Sequence, residues 1–197
     1  MTRQNVFFAL IVLLLLAGIA IYQFSLPPQI HGSIIEPPKP MPDFTLHSAR
    51  GPVSLSDFRG KLVVLYFGFT SCPDVCPTTL ASLRQALNDL GQPADQVQVV
   101  FVSVDWKRDT PENLASYLSA FHPDFLGLTG SEAQVAAVAK DFGIYYKLNE
   151  PDAKGYYSVD HTATVQILDR QGNLVMTWPY GQSPADLLDD LKVLVRK

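Results

Sequence analysis

The chain has 197 residues, of which 47% are hydrophobic, and its formal net charge is −4. This length is typical of one folded domain with an additional segment. Because the charge is negative and basic residues form no cluster, the sequence lacks the electrostatic signature of a nucleic-acid-binding protein.

The N-terminus carries an apolar segment, residues 6–22, that contains no charged side chain. Its length falls within the range of roughly 17–25 residues expected of a membrane-spanning helix. Arg3 precedes the segment and the next basic residue is Lys39, so the positive-inside tendency places the N-terminus in the cytoplasm. We therefore predict a single-pass anchor at residues 1–22 in the inner membrane, with the remainder in the periplasm. A cleaved signal peptide is the alternative.

The next segment, residues 23–40, is rich in proline. Such a composition predicts an extended, semi-rigid linker. The folded domain is then expected to cover residues 41–197. It should begin with a hairpin, since residues 44–46 and 53–55 are short alternating segments separated by turn residues.

From residue 62 onward, apolar strands alternate with amphipathic helices. Residues 62–69 and 97–104 are almost continuously apolar, as is typical of strands that are covered on both faces. A stripe of leucines predicts a helix over residues 78–90. The remaining elements are expected in this order: helix 111–122, strand 125–128, helix 131–142, strand 162–168, strand 174–178 and helix 183–195. This order predicts an α/β fold with parallel central strands and a late antiparallel hairpin.

Residues 144–159 carry four tyrosines around a polar loop. One interpretation is a β-hairpin in which tyrosines pack across the strands. The other is a loop that docks a partner, because tyrosine is enriched at protein interfaces. The sequence does not separate the two.

The only two cysteines, Cys72 and Cys76, lie between a predicted strand and a predicted helix. A helix N-terminus favours negative charge, so we expect this position to lower thiol pKa values and favour thiolate. At this spacing on a helical turn, the Cβ atoms are about 5–6 Å apart. Both sulfurs could therefore bind one metal ion or form a disulfide. A purely structural disulfide closing so short a loop would add little stability.

Two thiolates can hold Cu(I), which is a soft ion, and a third ligand would have to come from far along the chain. His161 is a candidate because it lies at the mouth of a predicted strand, next to Asp160. A lone histidine is more often structural or solvated. Asp160 could orient the imidazole or be a surface acid, and Asp74 could favour the helix N-terminus or tune the thiols.

Three motifs occur in order: Gly68-Phe69-Thr70-Ser71-Cys72-Pro73-Asp74-Val75-Cys76-Pro77, then Ser103-Val104-Asp105 with Arg108-Asp109-Thr110-Pro111, then Val159-Asp160-His161. Together they closely resemble the Sco/SenC family of copper chaperones, over about residues 41–197. The sequence departs from the family pattern at Trp106, where proline is usual, and at residues 164–166, where the strand is often more aromatic. Neither departure touches a proposed ligand, but both could alter which partner is recognised.

The resemblance implies a thioredoxin-like fold and one copper ion, Cu(I) or Cu(II), bound by Cys72, Cys76 and His161. It implies delivery of copper to the CuA centre of cytochrome c oxidase subunit II, or reduction of the cysteines there. An upstream copper donor or a thiol reductant would be a further partner. The chain is therefore expected to be a metallochaperone rather than an enzyme.

A thiol:disulfide reductase is the main alternative. Cys72 would attack a disulfide and Cys76 would resolve the mixed disulfide, without a requirement for His161. Peroxide reduction at Cys72 is less favoured because no basic residue is near it in sequence. Whether Asp74, Asp105 or Asp160 approaches the metal is open at this point.

Overall fold

The computed structural model describes residue 8, residues 11–15, residue 18 and residues 29–196. The predicted anchor, residues 1–22, therefore lies mostly outside the described residues. Within the described part of the chain, no helix combines the length and the apolar character that crossing a bilayer requires.

Ten strands and four α-helices make up residues 33–194. In chain order they are β1 (Ser33–Pro40), β2 (Thr45–Ser48), β3 (Gly51–Ser54), β4 (Leu62–Gly68), α1 (Val75–Leu90), β5 (Val97–Ser103), α2 (Pro111–Ser119), β6 (Leu126–Leu128), α3 (Glu132–Asp141), β7 (Tyr146–Leu148), β8 (Val159–His161), β9 (Val165–Leu168), β10 (Asn173–Trp178) and α4 (Pro184–Leu194). From β2 onward the predicted succession of strands and helices is confirmed, with boundaries shifted by a few residues.

A six-stranded sheet in the order β1-β10-β9-β4-β5-β6 forms the centre of the domain. Strands β4, β5 and β6 run parallel, whereas β9 pairs antiparallel with both β4 and β10. The predicted α/β class, the parallel central strands and the late antiparallel hairpin are thus confirmed. Two smaller sheets, β2–β3 and β7–β8, are separate from it.

The hydrophobic pattern explains why these segments adopt these structures. Every residue of β4 is buried, as expected for a continuously apolar strand in the middle of a sheet. Helix α1 buries the predicted leucine stripe, Leu80, Leu83, Leu87 and Leu90, together with Cys76 and Ala86. Helix α3 begins at a capping box formed by Ser131 and Gln134, which satisfies free backbone groups of its first turn.

The predicted linker differs from what the structure shows, because its residues 33–40 form the edge strand β1. β1 pairs antiparallel with β10 at Ser33 and Ile34 and again at Lys39 and Pro40, and the register shifts between these two pairs. Proline lacks a backbone N–H and is tolerated at sheet edges and irregularities. Its fixed φ suits an extended strand as well as a linker, so composition alone did not distinguish the two.

A buried carboxylate, Asp190 of α4, ties the segment before β1 to the domain. It accepts hydrogen bonds from the backbone N–H groups of His31 and Gly32, at 2.9 and 2.8 Å. Nε1 of Trp178 donates to the same carboxylate at 2.8 Å. Asp190 and Trp178 are fully buried, so the folded domain includes residues before position 41.

Candidate metal centre

The two cysteines lie where β4 ends and α1 begins, so the turn between these elements positions both sulfurs. Cys76 is the second residue of α1, and its backbone N–H donates to Sγ of Cys72 at 3.4 Å. Both residues are free thiols. Cys72 is 9% exposed whereas Cys76 is fully buried, so Cys72 is the more accessible sulfur.

The third predicted residue joins them in space. His161 is the last residue of β8, and its Nε2 lies 3.6 Å from Sγ of Cys76, 85 residues away in the chain. The candidate ligand atoms of Cys72, Cys76 and His161 all lie within 4.8 Å of one another. The structure therefore brings together the three residues that the sequence singled out.

The thiol of Cys76 is not activated in the way that its place at a helix N-terminus predicts. Burial raises its pKa to about 12, although the backbone of Phe69 and the hydroxyl of Tyr66 favour the thiolate. A helix N-terminus contributes about 1 kcal/mol, whereas full burial can shift a pKa by about 3–5 units. Desolvation therefore outweighs the helix dipole, and the metal-free thiol is neutral.

The imidazole of His161 is oriented for binding a metal through Nε2. The carbonyl oxygen of Thr162 accepts a hydrogen bond from Nδ1 at 3.1 Å. Because a carbonyl can only accept, the proton of the neutral ring is on Nδ1 and the lone pair is on Nε2, which faces Cys76. Burial lowers the pKa of His161, which favours this neutral ring.

Tyr66 of β4 is a contact that sequence reasoning missed. This fully buried side chain donates its hydroxyl hydrogen bond to Sγ of Cys76 at 3.6 Å. Burial raises the pKa of Tyr66, so the phenol remains a donor. Position 66 faces the site because it precedes the cysteine turn on the same strand, a relationship that an apolar run does not reveal.

Asp109 is a second residue that sequence reasoning left without a role. The cysteine turn is held by this buried carboxylate, which accepts from the backbone N–H of Thr70 at 2.9 Å and from its hydroxyl at 2.5 Å. The hydroxyl of Ser103 donates to it at 2.6 Å. Asp109 belongs to the second motif, so the signal was present in the sequence, but it did not indicate which segment the carboxylate would hold.

The three aspartates that the sequence left open do not join the cluster of candidate ligands. Asp74 is exposed and accepts a hydrogen bond from Thr78 at 3.3 Å. Asp105 is fully buried and pairs with Arg108. Asp160 is exposed and accepts from Asn149 at 3.2 Å. Within the described residues, the candidate centre thus consists of two sulfurs and one imidazole.

The tyrosine-rich segment forms the predicted hairpin, since β7 and β8 pair antiparallel. Tyr145 and Tyr156 are 63% and 51% exposed. The hairpin and a docking role are therefore compatible, and docking stays a prediction.

Comparison with known protein families matches residues 33–196 to the family described as SCO1/SenC. Among curated proteins, a similar relative is the SCO2-like protein of Rickettsia felis, which is 38% identical over 152 residues. That match covers 76% of this chain and 74% of the relative.

Solved structures show the same fold. Apo Sco1 from Thermus thermophilus has a TM-score of 0.78 and 44% identity, and the match covers 84% of this chain and 97% of that one. ScoI from Bradyrhizobium japonicum, solved with copper bound, has a TM-score of 0.72 and 37% identity, covering 79% of this chain and 99% of that one. The fold is thus the thioredoxin-like α/β fold predicted from the motifs. A cluster of two thiols and an imidazole fits copper, which favours soft sulfur donors and also accepts imidazole.

Proposed function

This chain belongs to the SCO1/SenC family, and we propose on that premise that it is a copper chaperone. Cys72, Cys76 and His161 bind one copper ion, and the chain delivers it to the CuA centre of cytochrome c oxidase subunit II. The observation that carries this proposal is the convergence of the three candidate ligand atoms within 4.8 Å.

The donor set favours Cu(I), because thiolates are soft ligands. Cys76 must lose its proton when the metal binds, since burial holds its pKa at about 12 in the metal-free chain. Binding therefore releases protons and should tighten as the pH rises. His161 needs no such loss, because the lone pair of Nε2 already faces the sulfurs.

Delivery requires that a partner's ligands reach the metal before this chain releases it. Cys72 is 9% exposed and His161 is half-buried, whereas Cys76 is fully buried, so a partner would reach the centre through Cys72 and His161. Three donors leave room for a donor from the partner, and copper then passes by ligand exchange. The chain acts on the periplasmic side of the inner membrane, held there by residues 1–22, and receives copper or electrons from an upstream donor or thiol reductant.

The ligand set is tested by titrating Cu(I) into the full-length chain in detergent, reduced and without oxygen, against a competing chelator. The parent should bind one equivalent. Cys72→Ser, Cys76→Ser and His161→Ala should each bind more than roughly tenfold more weakly, since loss of a supporting group alone costs about 10–100-fold. His47→Ala removes an exposed histidine and is the matched control. Binding that is indifferent to His161 would reject the three-donor site.

Delivery is tested separately with the metal-free CuA domain of subunit II. Copper-loaded chain should generate the absorption bands of CuA, faster than the same amount of copper bound to the chelator. Transfer no faster than from the chelator would leave copper binding intact but reject chaperoning.

The unequal exposure of the two sulfurs also supports a second candidate, thiol:disulfide reduction. The thiolate of Cys72 attacks a partner disulfide, which forms a mixed disulfide and releases one partner thiol. Cys76 then attacks Sγ of Cys72, which releases the second partner thiol and leaves a Cys72–Cys76 disulfide. A thiol reductant regenerates the pair. The first step does not need His161, so trapping the mixed disulfide in Cys76→Ser should proceed equally with and without His161→Ala.

A further inference from the structure

The histidine of the proposed copper centre lies on the β7–β8 hairpin, whereas the cysteines follow a strand of the six-stranded sheet. Among the strands of the described residues, β7 and β8 pair with each other alone, with Tyr146 opposite His161 and Leu148 opposite Val159. The cysteines follow β4, in the middle of the six-stranded sheet. The loop between β7 and β8, residues 149–158, has mostly exposed side chains. His161 therefore depends on how this hairpin is held against the body of the domain.

One side chain of that loop is anchored in the body. The hydroxyl of Tyr157 donates to Oδ1 of Asp105 at 2.7 Å, and the backbone carbonyl of Tyr157 accepts from Nη1 of Arg108 at 3.0 Å. The guanidinium carbon of Arg108 lies 3.8 Å from the centre of the Tyr157 ring, a cation–π distance. We call Asp105, Arg108 and Tyr157 the latch.

Within the latch, Asp105 is held in place by further contacts with the domain. Asp105 is fully buried and is paired with Nε of Arg108. Its backbone N–H donates to the hydroxyl of Ser103 at 3.0 Å, and the same hydroxyl donates to Asp109, which holds Thr70 in the cysteine turn. One short segment, residues 103–109, thus holds both the turn that carries Cys72 and the loop that leads to His161.

We propose that Tyr157 is a positioning residue that keeps His161 beside the cysteines and thereby slows the loss of copper. This role presupposes the three-donor copper site proposed above. The loop side chains around Tyr157 are mostly exposed, whereas the contacts of Tyr157 with Asp105 and Arg108 are partly buried, so these polar contacts hold this part of the hairpin against the domain. If the contacts of Tyr157 with Asp105 and Arg108 break, the β7–β8 hairpin moves and carries the imidazole of His161 with it. The two cysteine sulfurs stay in place, because they lie in the turn after β4.

The test uses Tyr157→Phe, which retains the ring that packs on Arg108 and removes only the hydroxyl. A hydrogen bond to a charged group contributes enough to shift an equilibrium by about tenfold or more. We therefore expect copper loss to a competing chelator to be about tenfold faster from Tyr157→Phe than from the parent, measured on the reduced full-length chain in detergent. Tyr156→Phe is the matched control, because its side chain is 51% exposed and its hydroxyl has no hydrogen-bond partner among the described residues.

The effect of Tyr157→Phe is then measured again in chains that also carry His161→Ala. If Tyr157 acts through His161, Tyr157→Phe has no further effect on the rate there. An equal acceleration in both backgrounds, or no acceleration in the parent, would overturn the positioning role. If His161→Ala itself loses copper at the parent's rate, the three-donor site is rejected instead, so the two failures are distinguishable.

A second measurement needs no metal. In the metal-free chain, Tyr157→Phe should accelerate amide hydrogen exchange at residues 157–162 and leave exchange in β4 and β5 unchanged. Acceleration throughout the domain would indicate a general loss of stability, and unchanged exchange at residues 157–162 would show that the hydroxyl does not hold the hairpin. Either result would contradict the proposal that the hydroxyl of Tyr157 holds the β7–β8 hairpin in place.

Discussion

Nε2 of His161 lies 3.6 Å from Sγ of Cys76, although the two residues are 85 positions apart. Neither group is charged in the metal-free chain: burial raises the pKa of the thiol to about 12, and burial lowers the pKa of the imidazole. A neutral pair of this kind costs less to bury than an ion pair. The thiol of Cys76 is therefore neutral before metal binds, and in the proposed copper complex it would lose its proton, whereas His161 would bind as the neutral imidazole.

The first prediction concerns thiol reactivity. In the reduced, metal-free chain at pH 8, iodoacetamide should modify Cys72 at least about tenfold faster than Cys76, because the thiolate is the reactive species and Cys76 is both buried and protonated. Peptide mapping by mass spectrometry measures the ratio. In the urea-unfolded chain the two rates should converge. Equal labelling of the folded chain would show that Cys76 is more accessible than the structure indicates.

The second prediction concerns Gly68, at the end of β4. A Cβ at this position would lie 2.8 Å from Sγ of Cys76 and 2.8 Å from Cε2 of Phe101. Gly68→Ala should therefore destabilise the domain by about 1–3 kcal/mol through overpacking and weaken Cu(I) binding by displacing the sulfur. Urea unfolding and chelator competition measure the two effects.

Gly127→Ala is the control for Gly68→Ala, because it introduces a similar overlap away from the cysteines. A Cβ at position 127 would lie 2.7 Å from Cβ of Leu114, in a contact between β6 and α2. It should lower stability by a similar amount and leave copper affinity unchanged. Equal losses of copper affinity in the two variants would mean that the effect of Gly68→Ala is not local to Cys76.

The third prediction concerns Asp109. Asp109→Asn replaces one carboxylate oxygen by an amide that cannot accept from Thr70 or Ser103, and it leaves buried donors without a charged acceptor. We expect a loss of about 2–3 kcal/mol in the free energy of unfolding and weaker copper binding, since Thr70 lies in the cysteine turn. Asp74→Asn, at an exposed position in the same turn, should change stability by less than about 0.5 kcal/mol. The idea fails if the two variants are equally stable.

The fourth prediction is a loss of stability at alkaline pH. Burial raises the pKa of Cys76 from 9.0 to about 12 and also raises that of Tyr66. Above pH 9 the unfolded chain releases the thiol proton and the folded chain retains it, so the folded state binds more protons and its stability falls as the pH rises. Each such group contributes a slope of up to about 1.4 kcal/mol per pH unit between its two pKa values.

Urea unfolding of the reduced, metal-free chain between pH 8 and 11 measures this slope. Cys76→Ser lacks the thiol, so the dependence of its unfolding free energy on pH should be shallower by up to about 1.4 kcal/mol per pH unit, which corresponds to one proton. A parent whose stability is constant over this range would contradict the buried, protonated state of Cys76.

Much of the fold follows from local sequence patterns. The continuously apolar strands, the leucine stripe of α1 and the Ser131 capping box each specify an element through interactions within a few residues, and their order implies a parallel sheet. Local composition predicts a spacer for the segment from Ser33 to Pro40, and this prediction is wrong because the segment pairs as strand β1. Its partner β10 lies far along the chain, and no local pattern reveals that pairing.

The candidate site likewise has features that follow from the sequence and features that depend on the folded structure. Sequence patterns locate the cysteine turn, show which residue types it offers and indicate which distant histidine could join it, because spacing and motifs are properties of the chain. The burial that raises the pKa of Cys76, and the hydrogen bonds from Thr70 to Asp109 and from Tyr157 to Asp105, become evident in the folded domain alone. Desolvation and long-range hydrogen bonds depend on what packs around a group, and that environment exists only once the chain has folded.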